Sequence, residues 1–195
     1  TIGKIYSVMI DMGQYLPDWR PGTDYRKNVS ASKSLGGGVL LELSHEFDYL
    51  TWLFGKFDAA YCTTTSSGML EIDVEDKADI MLLRNDGVVA QLHMDFLQRQ
   101  ATRKCKVIGE HGNLVWDLIE NTISLHSGKT TECIFNDSGA DRNDMYISQL
   151  NRFALVAAGK IKPLVGLDDA LYTLKLVEAL RQSSAKKQMI SLEGL

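Results

Sequence analysis

Cysteine and proline are both scarce in this sequence, with three of each among 195 residues. The cysteines, Cys62, Cys105 and Cys133, lie far apart, and none forms a C-x-x-C pair. This spacing argues against a zinc knuckle and against a redox-active disulfide. We therefore expect reduced thiols in the core of a cytoplasmic protein.

The sequence also lacks the features of membrane and nucleic-acid-binding proteins. No apolar run approaches the roughly 20 residues of a membrane-spanning helix, and residues 2–12 do not have the charged-then-apolar order of a signal peptide. The net charge is −4 at pH 7, whereas nucleic-acid binding calls for a basic surface. We expect neither a membrane nor a nucleic-acid partner.

A dinucleotide-binding motif is missing as well. The sequence contains no G-x-G-x-x-G between a strand and a helix and no G-x-x-x-x-G-K. Its first residue is Thr1 rather than methionine. We therefore expect a processed chain or a piece of a longer protein, in which any dinucleotide phosphates are held outside residues 1–195.

The hydrophobic pattern predicts an α+β domain. A continuous helix is expected over residues 39–54, closed by Gly55, because apolar residues recur there at three- and four-residue steps. The alternation of residues 88–97 predicts a strand, and the turn at residues 85–87 joins it to a preceding strand as a hairpin. Further strands are predicted at residues 4–12, 59–66, 78–83, 102–108, 113–117, 122–126 and 189–192.

Two helices are predicted near the end of the chain. One carries apolar residues from Tyr146 to Ala157, and the other is capped by Asp168. The order of elements indicates a single domain, residues 1–195, with helices on one face of an open, mainly antiparallel β-sheet. Because Leu83, Val89 and Leu97 are apolar on the opposite side of their strands, we expect the free face to bind a second subunit.

The helix over residues 39–54 carries a polar ridge made of Glu42, His45 and Asp48, which stand three residues apart. A histidine between two carboxylates has the composition of an oriented general base; the alternative is a solvated helix face. Three glycines before the helix let its backbone approach either another chain segment or a ligand. The string from His45 begins like the zinc motif H-E-x-x-H, but Tyr49 replaces the second histidine, so no metal site is expected.

The loop before this helix is rich in aromatic and guanidinium groups. Trp19 and Tyr25 offer faces that stack on sugar rings or bases, and Arg20 and Arg26 suit phosphate or carboxylate groups. We predict that these four residues, with Asp48, bind substrate. The alternative is a loop whose Trp19 and Tyr25 pack on the domain or at a subunit interface.

Three segments together resemble one family. Residues 35–55 (LGGGVLLELSHEFDYLTWLFG), 107–117 (VIGEHGNLVWD) and 168–192 are similar, in this order, to segments of the glucose–fructose oxidoreductase and inositol dehydrogenase family, Gfo/Idh/MocA. The loop reads W-x-P-x-x-D-Y-R from Trp19 to Arg26, which is similar to relatives that act on nucleotide-linked or acidic sugars. The resemblance is to the carboxy-terminal substrate domain, with its dihydrodipicolinate reductase-like, GAPDH-like fold.

The resemblance implies an NAD(P)-dependent oxidoreductase. A Rossmann domain, absent from this chain, would bind NAD or NADP and supply the lysine of an E-K-P motif. Hydride would pass between nicotinamide and a hydroxyl or keto carbon of a sugar, polyol or sugar nucleotide, and the chain alone would be inactive. His45 matches the family's catalytic histidine. Glu42 is the nearest match to its catalytic aspartate, but it stands three residues before the histidine instead of four, and Asp48 matches the trailing aspartate.

A second interpretation stays open from the sequence. The same fold could serve as a non-catalytic domain that binds a ligand or assembles subunits. The departure at Glu42 and the missing cofactor domain keep this alternative open.

Overall fold

The computed structural model describes residues 2–195, apart from the side chain of Arg142. Nine strands form one sheet in the order β8-β7-β6-β5-β1-β4-β3-β2-β9. The strands are β1 (Ile5–Gly13), β2 (Ala59–Thr65), β3 (Lys77–Leu83), β4 (Val89–Asp95), β5 (Thr102–Gly109), β6 (Gly112–Asp117), β7 (Thr122–Ser127), β8 (Thr130–Asn136) and β9 (Ile190–Ser191). The helices are α1 (Val39–Glu42), α2 (His45–Phe54), α3 (Arg142–Ala157) and α4 (Leu167–Lys186).

The sheet is antiparallel at every pairing except one. β1 lies in the middle, parallel to β4 on one side and antiparallel to β5 on the other. The predicted hairpin between β3 and β4 is present. The predicted α+β fold with an open, mainly antiparallel sheet is confirmed.

β8 was not predicted from the sequence. It pairs with β7 at the edge of the sheet, and all seven of its residues are exposed. An edge strand without a buried face has no need for alternating apolar residues, so its sequence carries no two-residue period.

α4 covers part of the inner face of the sheet. Leu176 and Leu180 are fully buried there. The Ser183 hydroxyl accepts a hydrogen bond from the backbone N–H of Cys62 at 2.9 Å and donates one to the carbonyl of Gln188 at 2.7 Å. The predicted cap at Asp168 is wrong, because the helix begins at Leu167 after Gly166.

α3 is present as predicted, but its apolar stripe is not buried. Leu150 and Phe153 are 68% and 66% exposed. Other exposed apolar side chains lie before and after them along the chain, and we call this set the tail surface: Tyr146, Leu150, Phe153, Leu164, Leu167, Leu171 and Leu174. An exposed apolar set of this extent is typical of a surface that another protein segment covers.

The helix predicted over residues 39–54 is two helices, so this prediction is wrong in its continuity. Between α1 and α2 the backbone N–H of Ser44 bonds to the carbonyl of Leu41, and that of Glu46 bonds to the carbonyl of Leu43. These are three-residue rather than four-residue steps, which tighten the turn. As a result His45 is the first residue of α2.

The glycines before α1 allow a close approach of other chain segments. A Cβ on Gly37 would lie 2.7 Å from the carbonyl oxygen of Ser30, and one on Gly38 would lie 2.6 Å from the Glu75 carboxyl carbon. The Glu75 carboxylate accepts a hydrogen bond from the backbone N–H of Leu40 at 3.3 Å, at the start of α1. Within the described residues these glycines therefore accommodate protein.

The outer face of the sheet has a mixed surface. Leu83 and Val89 lie opposite each other on β3 and β4 and are partly buried. Leu97 lies beyond the end of β4, so its predicted place on a strand is wrong. His93, on the same face, lies between two carboxylates: its Nδ1 is 2.6 Å from Asp79 Oδ1 and its Nε2 is 3.0 Å from Asp95 Oδ2.

Two cysteines are buried and one is exposed. Cys62 and Cys105 lie in the core, as predicted, whereas Cys133 lies on the exposed edge strand, which corrects the prediction for that residue. All three are free thiols. Among residues 2–195, no helix combines the length and the apolar character that crossing a membrane requires.

The close approach of Gly37 to the backbone of Ser30 can be tested by its effect on stability. Gly37→Ala should lower the free energy of unfolding by about 1–3 kcal/mol, because the new methyl group must displace backbone. Gly139→Ala is the control, since a Cβ there meets nothing within 4 Å and Gly139 has no positive φ. Urea unfolding measures both changes. Equal stabilities for the two variants would contradict the role assigned to Gly37.

The contacts of His93 make the stability of the protein depend on pH. Burial alone would lower the pKa of His93, but hydrogen bonds and charges from Asp79 and Asp95 raise it overall. Donating to both carboxylates requires both ring N–H groups, so the bonds favour the imidazolium. The stabilisation is complete below the unfolded pKa of about 6.5 and is lost as the pH rises through the higher folded pKa.

His93→Gln should therefore lower the unfolding temperature at pH 6 by more than it does at pH 9. His126→Gln is the control, because the His126 ring bonds to the Thr131 hydroxyl. Thermal unfolding monitored by circular dichroism gives the differences. A His93→Gln penalty that does not change with pH would rule out the charged pairs as its source.

Candidate functional site

His45 stands at the start of α2, where the chain has just left the tight turn after α1. Its side chain is 47% exposed, and its Nε2 lies 3.3 Å from Glu46 Oε1. The imidazole is therefore open to solvent on one side and faces a carboxylate on the other.

That carboxylate is fully buried. The side chain of Glu46 has no exposed surface, and its Oε1 accepts a hydrogen bond from Arg103 Nε at 2.7 Å. Arg103 comes from β5, the strand beside β1, so the pair ties α2 to the sheet. Sequence reasoning missed both residues, since it placed the polar ridge on Glu42, His45 and Asp48.

The electrostatics of this cluster keep His45 neutral. Burial and then the positive charge of Arg103 lower the pKa of His45 to about 4, against the opposing effect of the Glu42 backbone. Burial raises the pKa of Glu46 overall, although Arg103 and Tyr49 act to lower it. A neutral imidazole at pH 7 can accept a proton or a hydrogen bond.

Two further groups surround Glu46. Burial raises the pKa of Tyr49 and raises that of Cys105 to about 12, so both stay protonated. Glu46 Oε2 and the Tyr49 hydroxyl are both buried without a hydrogen bond of normal geometry, although each influences the pKa of the other. The cluster thus contains polar atoms that are not fully satisfied, which is common where a protein binds or reacts.

The other two members of the predicted ridge lie apart from this cluster. Glu42 ends α1, is partly buried and makes no side-chain hydrogen bond among the described residues. Asp48 lines a small cleft of about 40 Å³ beside Lys56, Asp169 and Tyr172, between α2 and α4. The structure therefore brings His45 together with Glu46 rather than with either predicted carboxylate.

The aromatic residues of the loop make contacts with the domain. The Trp19 ring packs edge-on against Phe96, with 5.4 Å between ring centroids, and its Nε1 is buried without a partner. The Tyr25 hydroxyl donates a hydrogen bond to the carbonyl of Leu70 at 3.0 Å. These contacts favour the packing alternative for both side chains, and a role in binding substrate stays a prediction.

The arginines of the loop are exposed. Arg26 contacts Asp24 at 2.9 Å and Glu71 at 2.7 Å, and both carboxylates raise its pKa. Arg20 is exposed, and its side chain makes no hydrogen bond or ion pair in the described part of the chain. Arg20 is therefore the loop cation that is most available for an anionic ligand.

A larger concavity lies on the other face of the sheet. It has a volume of about 390 Å³ and is lined by residues that include Tyr61, Met81, Gln91 and His93. His45 is on the opposite side of the sheet and does not line it. Within residues 2–195 no three His, Cys, Asp or Glu side chains are grouped so that they could hold a metal ion.

Solved structures share this fold over nearly the whole chain. Levoglucosan dehydrogenase in complex with NADH and levoglucosan has a TM-score of 0.82 and 17% identity, covering 100% of this chain and 60% of that one. An aldose-aldose oxidoreductase from Caulobacter crescentus, complexed with glycerol, has a TM-score of 0.80 and 19% identity, covering 98% and 56%. The WlbA dehydrogenase from Bordetella pertussis, in complex with NADH and UDP-GlcNAcA, has a TM-score of 0.74 and 18% identity, covering 98% and 56%.

These identities are low, so the likeness shows a common fold. The chain spans between 56% and 60% of the length of the three proteins. The sequence itself matches a family model described as the GFO/IDH/MocA C-terminal domain over residues 1–115. Because this match covers more than half of its residues, the chain belongs to the GFO/IDH/MocA family, through the C-terminal domain of that family.

Proposed function

We propose that residues 1–195 are the substrate domain of an oxidoreductase that transfers hydride between NAD or NADP and a sugar-type hydroxyl or keto carbon. The observation that carries the proposal is the neutral, half-exposed imidazole of His45 beside a buried carboxylate, in a chain of this family. Relatives of the same fold are dehydrogenases solved with NADH and with a sugar or a sugar nucleotide.

In this proposal residues 1–195 contact the nicotinamide end of the cofactor and not its phosphates. Among the described residues, β1 does not lead directly through a glycine-rich turn into a helix, as the strand of a dinucleotide-binding motif does, and Gly37 and Gly38 before α1 are packed against other protein atoms. His45, in contrast, suits the end of the cofactor where the substrate reacts. When bound, the nicotinamide supplies the hydride chemistry, and a nucleotide-binding domain outside residues 1–195 holds its phosphates.

His45 handles the proton in this proposal. As a neutral imidazole it takes the proton of the substrate hydroxyl during oxidation and returns it during reduction. Glu42 ends α1 three residues before His45 and assists through its backbone, which favours the protonated ring. Arg20 and Arg26 offer positive charge to an acidic or phosphorylated sugar, with Trp19, Tyr25 and Asp48 shaping the site.

The tail surface has a place in the same proposal. The nucleotide-binding domain covers these exposed apolar side chains and holds the cofactor against His45. The greater length of the structurally similar proteins supports this, because about two fifths of each lies outside the match. The outer face of the sheet, with Leu83 and Val89, binds a second copy of the chain, and a cytoplasmic location accords with the free thiols.

Replacing His45 tests the proposed chemistry. In the intact protein, His45→Ala should lower kcat by about 10²–10⁴-fold, the contribution of a positioned acid–base group, while the Kd for NADH changes little. Steady-state kinetics with nucleotide sugars and free polyols, together with NADH titration, give the two quantities. Wild-type turnover in this variant would leave the domain as a non-catalytic module for ligand binding or assembly.

Adding charge to the tail surface tests the proposed domain contact. In the intact protein, Phe153→Glu should lower the unfolding temperature and increase the binding of a hydrophobic dye, because a carboxylate would be buried in an apolar interface. Asn151→Glu, on the polar side of the same helix, is the control. If the two variants behave alike, no domain covers Phe153.

A further inference from the structure

We infer that Arg103 and the buried Glu46 position His45, so that Glu46, rather than Glu42 or Asp48, is the acid partner of the imidazole. The inference rests on the proposed function, in which His45 moves the substrate proton. Glu46 and Arg103 are positioning residues here, since neither is argued to touch the substrate.

The geometry places one oxygen atom between the two basic groups. Glu46 Oε1 is 2.7 Å from Arg103 Nε and 3.3 Å from His45 Nε2. Arg103, held on β5, fixes this oxygen by a hydrogen bond, and the oxygen faces Nε2 of the imidazole at ion-pairing distance. A general base of this kind works best when a third group orients it.

Stability alone is a poor explanation for burying this carboxylate. Removing a carboxylate from water is costly, and pairing it with a cation that is itself 32% exposed offsets only part of that cost. Moreover, Glu46 Oε2 has no hydrogen-bond partner, so the burial is not fully compensated. A pair kept at such a cost, in contact with the one half-exposed histidine of the site, fits a functional role.

The charges around the ring explain what the pair does. Burial and then the positive charge of Arg103 keep the imidazole neutral before reaction, since both lower the pKa of His45. Glu46 then stabilises the imidazolium that forms when the ring accepts a proton. The other titratable groups of the cluster, Tyr49 and Cys105, stay protonated and add no charge.

The position of Glu46 explains why the sequence pattern indicated Glu42 and Asp48 instead. Adjacent residues inside a helix do not face each other, whereas residues three or four apart do. His45 is the first residue of α2, directly after the tight turn, and there its ring reaches back to the carboxylate of the next residue.

Kinetics of the intact protein test the role of Glu46. Glu46→Gln keeps the shape of the side chain and should lower kcat by about 10- to 100-fold, part of the effect of losing the base itself, with KM within twofold of wild type. A kcat equal to that of wild type would overturn the inference.

Titration of His45, followed by its imidazole resonances in the NMR spectrum, tests the role of Arg103 without reference to activity. Arg103→Gln should raise the pKa of His45 from about 4 towards the ordinary value of about 6.5, and Arg103→Lys should keep it low. Lys104→Gln is the control, because Lys104 is on the same strand, faces the other side of the sheet and pairs with Asp117 at 3.0 Å. An unchanged His45 titration in Arg103→Gln would overturn the inference, even if Glu46→Gln failed to fold.

The catalytic role of His45 and the positioning role of Glu46 can be disproved separately. If His45→Ala leaves turnover unchanged, the proposed function is wrong whatever the pair does. If His45→Ala abolishes turnover but Glu46→Gln does not, His45 acts without Glu46, and only the further inference is wrong.

Discussion

The contact between Glu46 and Arg103 joins the helix that carries His45 to the central sheet. A fully buried carboxylate needs a cation, and the 2.7 Å hydrogen bond from Arg103 provides it across the interface between α2 and β5. Around this contact the tight turn after α1, the glycines before it and the packing of α2 all determine where the imidazole lies. Burial and then the charge of Arg103 lower the pKa of the ring, so this arginine contributes both to the position of the imidazole and to its protonation state.

Much of the fold could be predicted from the sequence because its elements follow clear periods. The alternation in β4 and the tight turn before it predicted the central hairpin, and Gly55 marked the end of α2. β8 was not predicted from the sequence because an exposed edge strand buries neither of its faces. The break between α1 and α2 was not predicted because no proline or glycine marks it in the sequence. Only the backbone hydrogen bonds show the tighter turn.

The candidate site was predictable only in part. The histidine was found from its pattern and from the resemblance, but its carboxylate neighbour depends on which way α2 begins, and that is a tertiary property. Arg103 is 58 residues after His45 in the sequence, and nothing in its local pattern on β5 indicates a partner on α2. For the loop from Trp19 to Arg26 the residue types alone could not distinguish ligand binding from packing, since residues suited to a ligand also make good packing contacts.

A structure of the intact protein with a nicotinamide cofactor and a sugar-type substrate tests the central claim most directly. The account predicts that a nitrogen of the His45 ring lies within hydrogen-bonding reach, about 2.6–3.2 Å, of the oxygen on the carbon that exchanges hydride. A ring turned away from that oxygen, with another side chain in its place, would contradict the account.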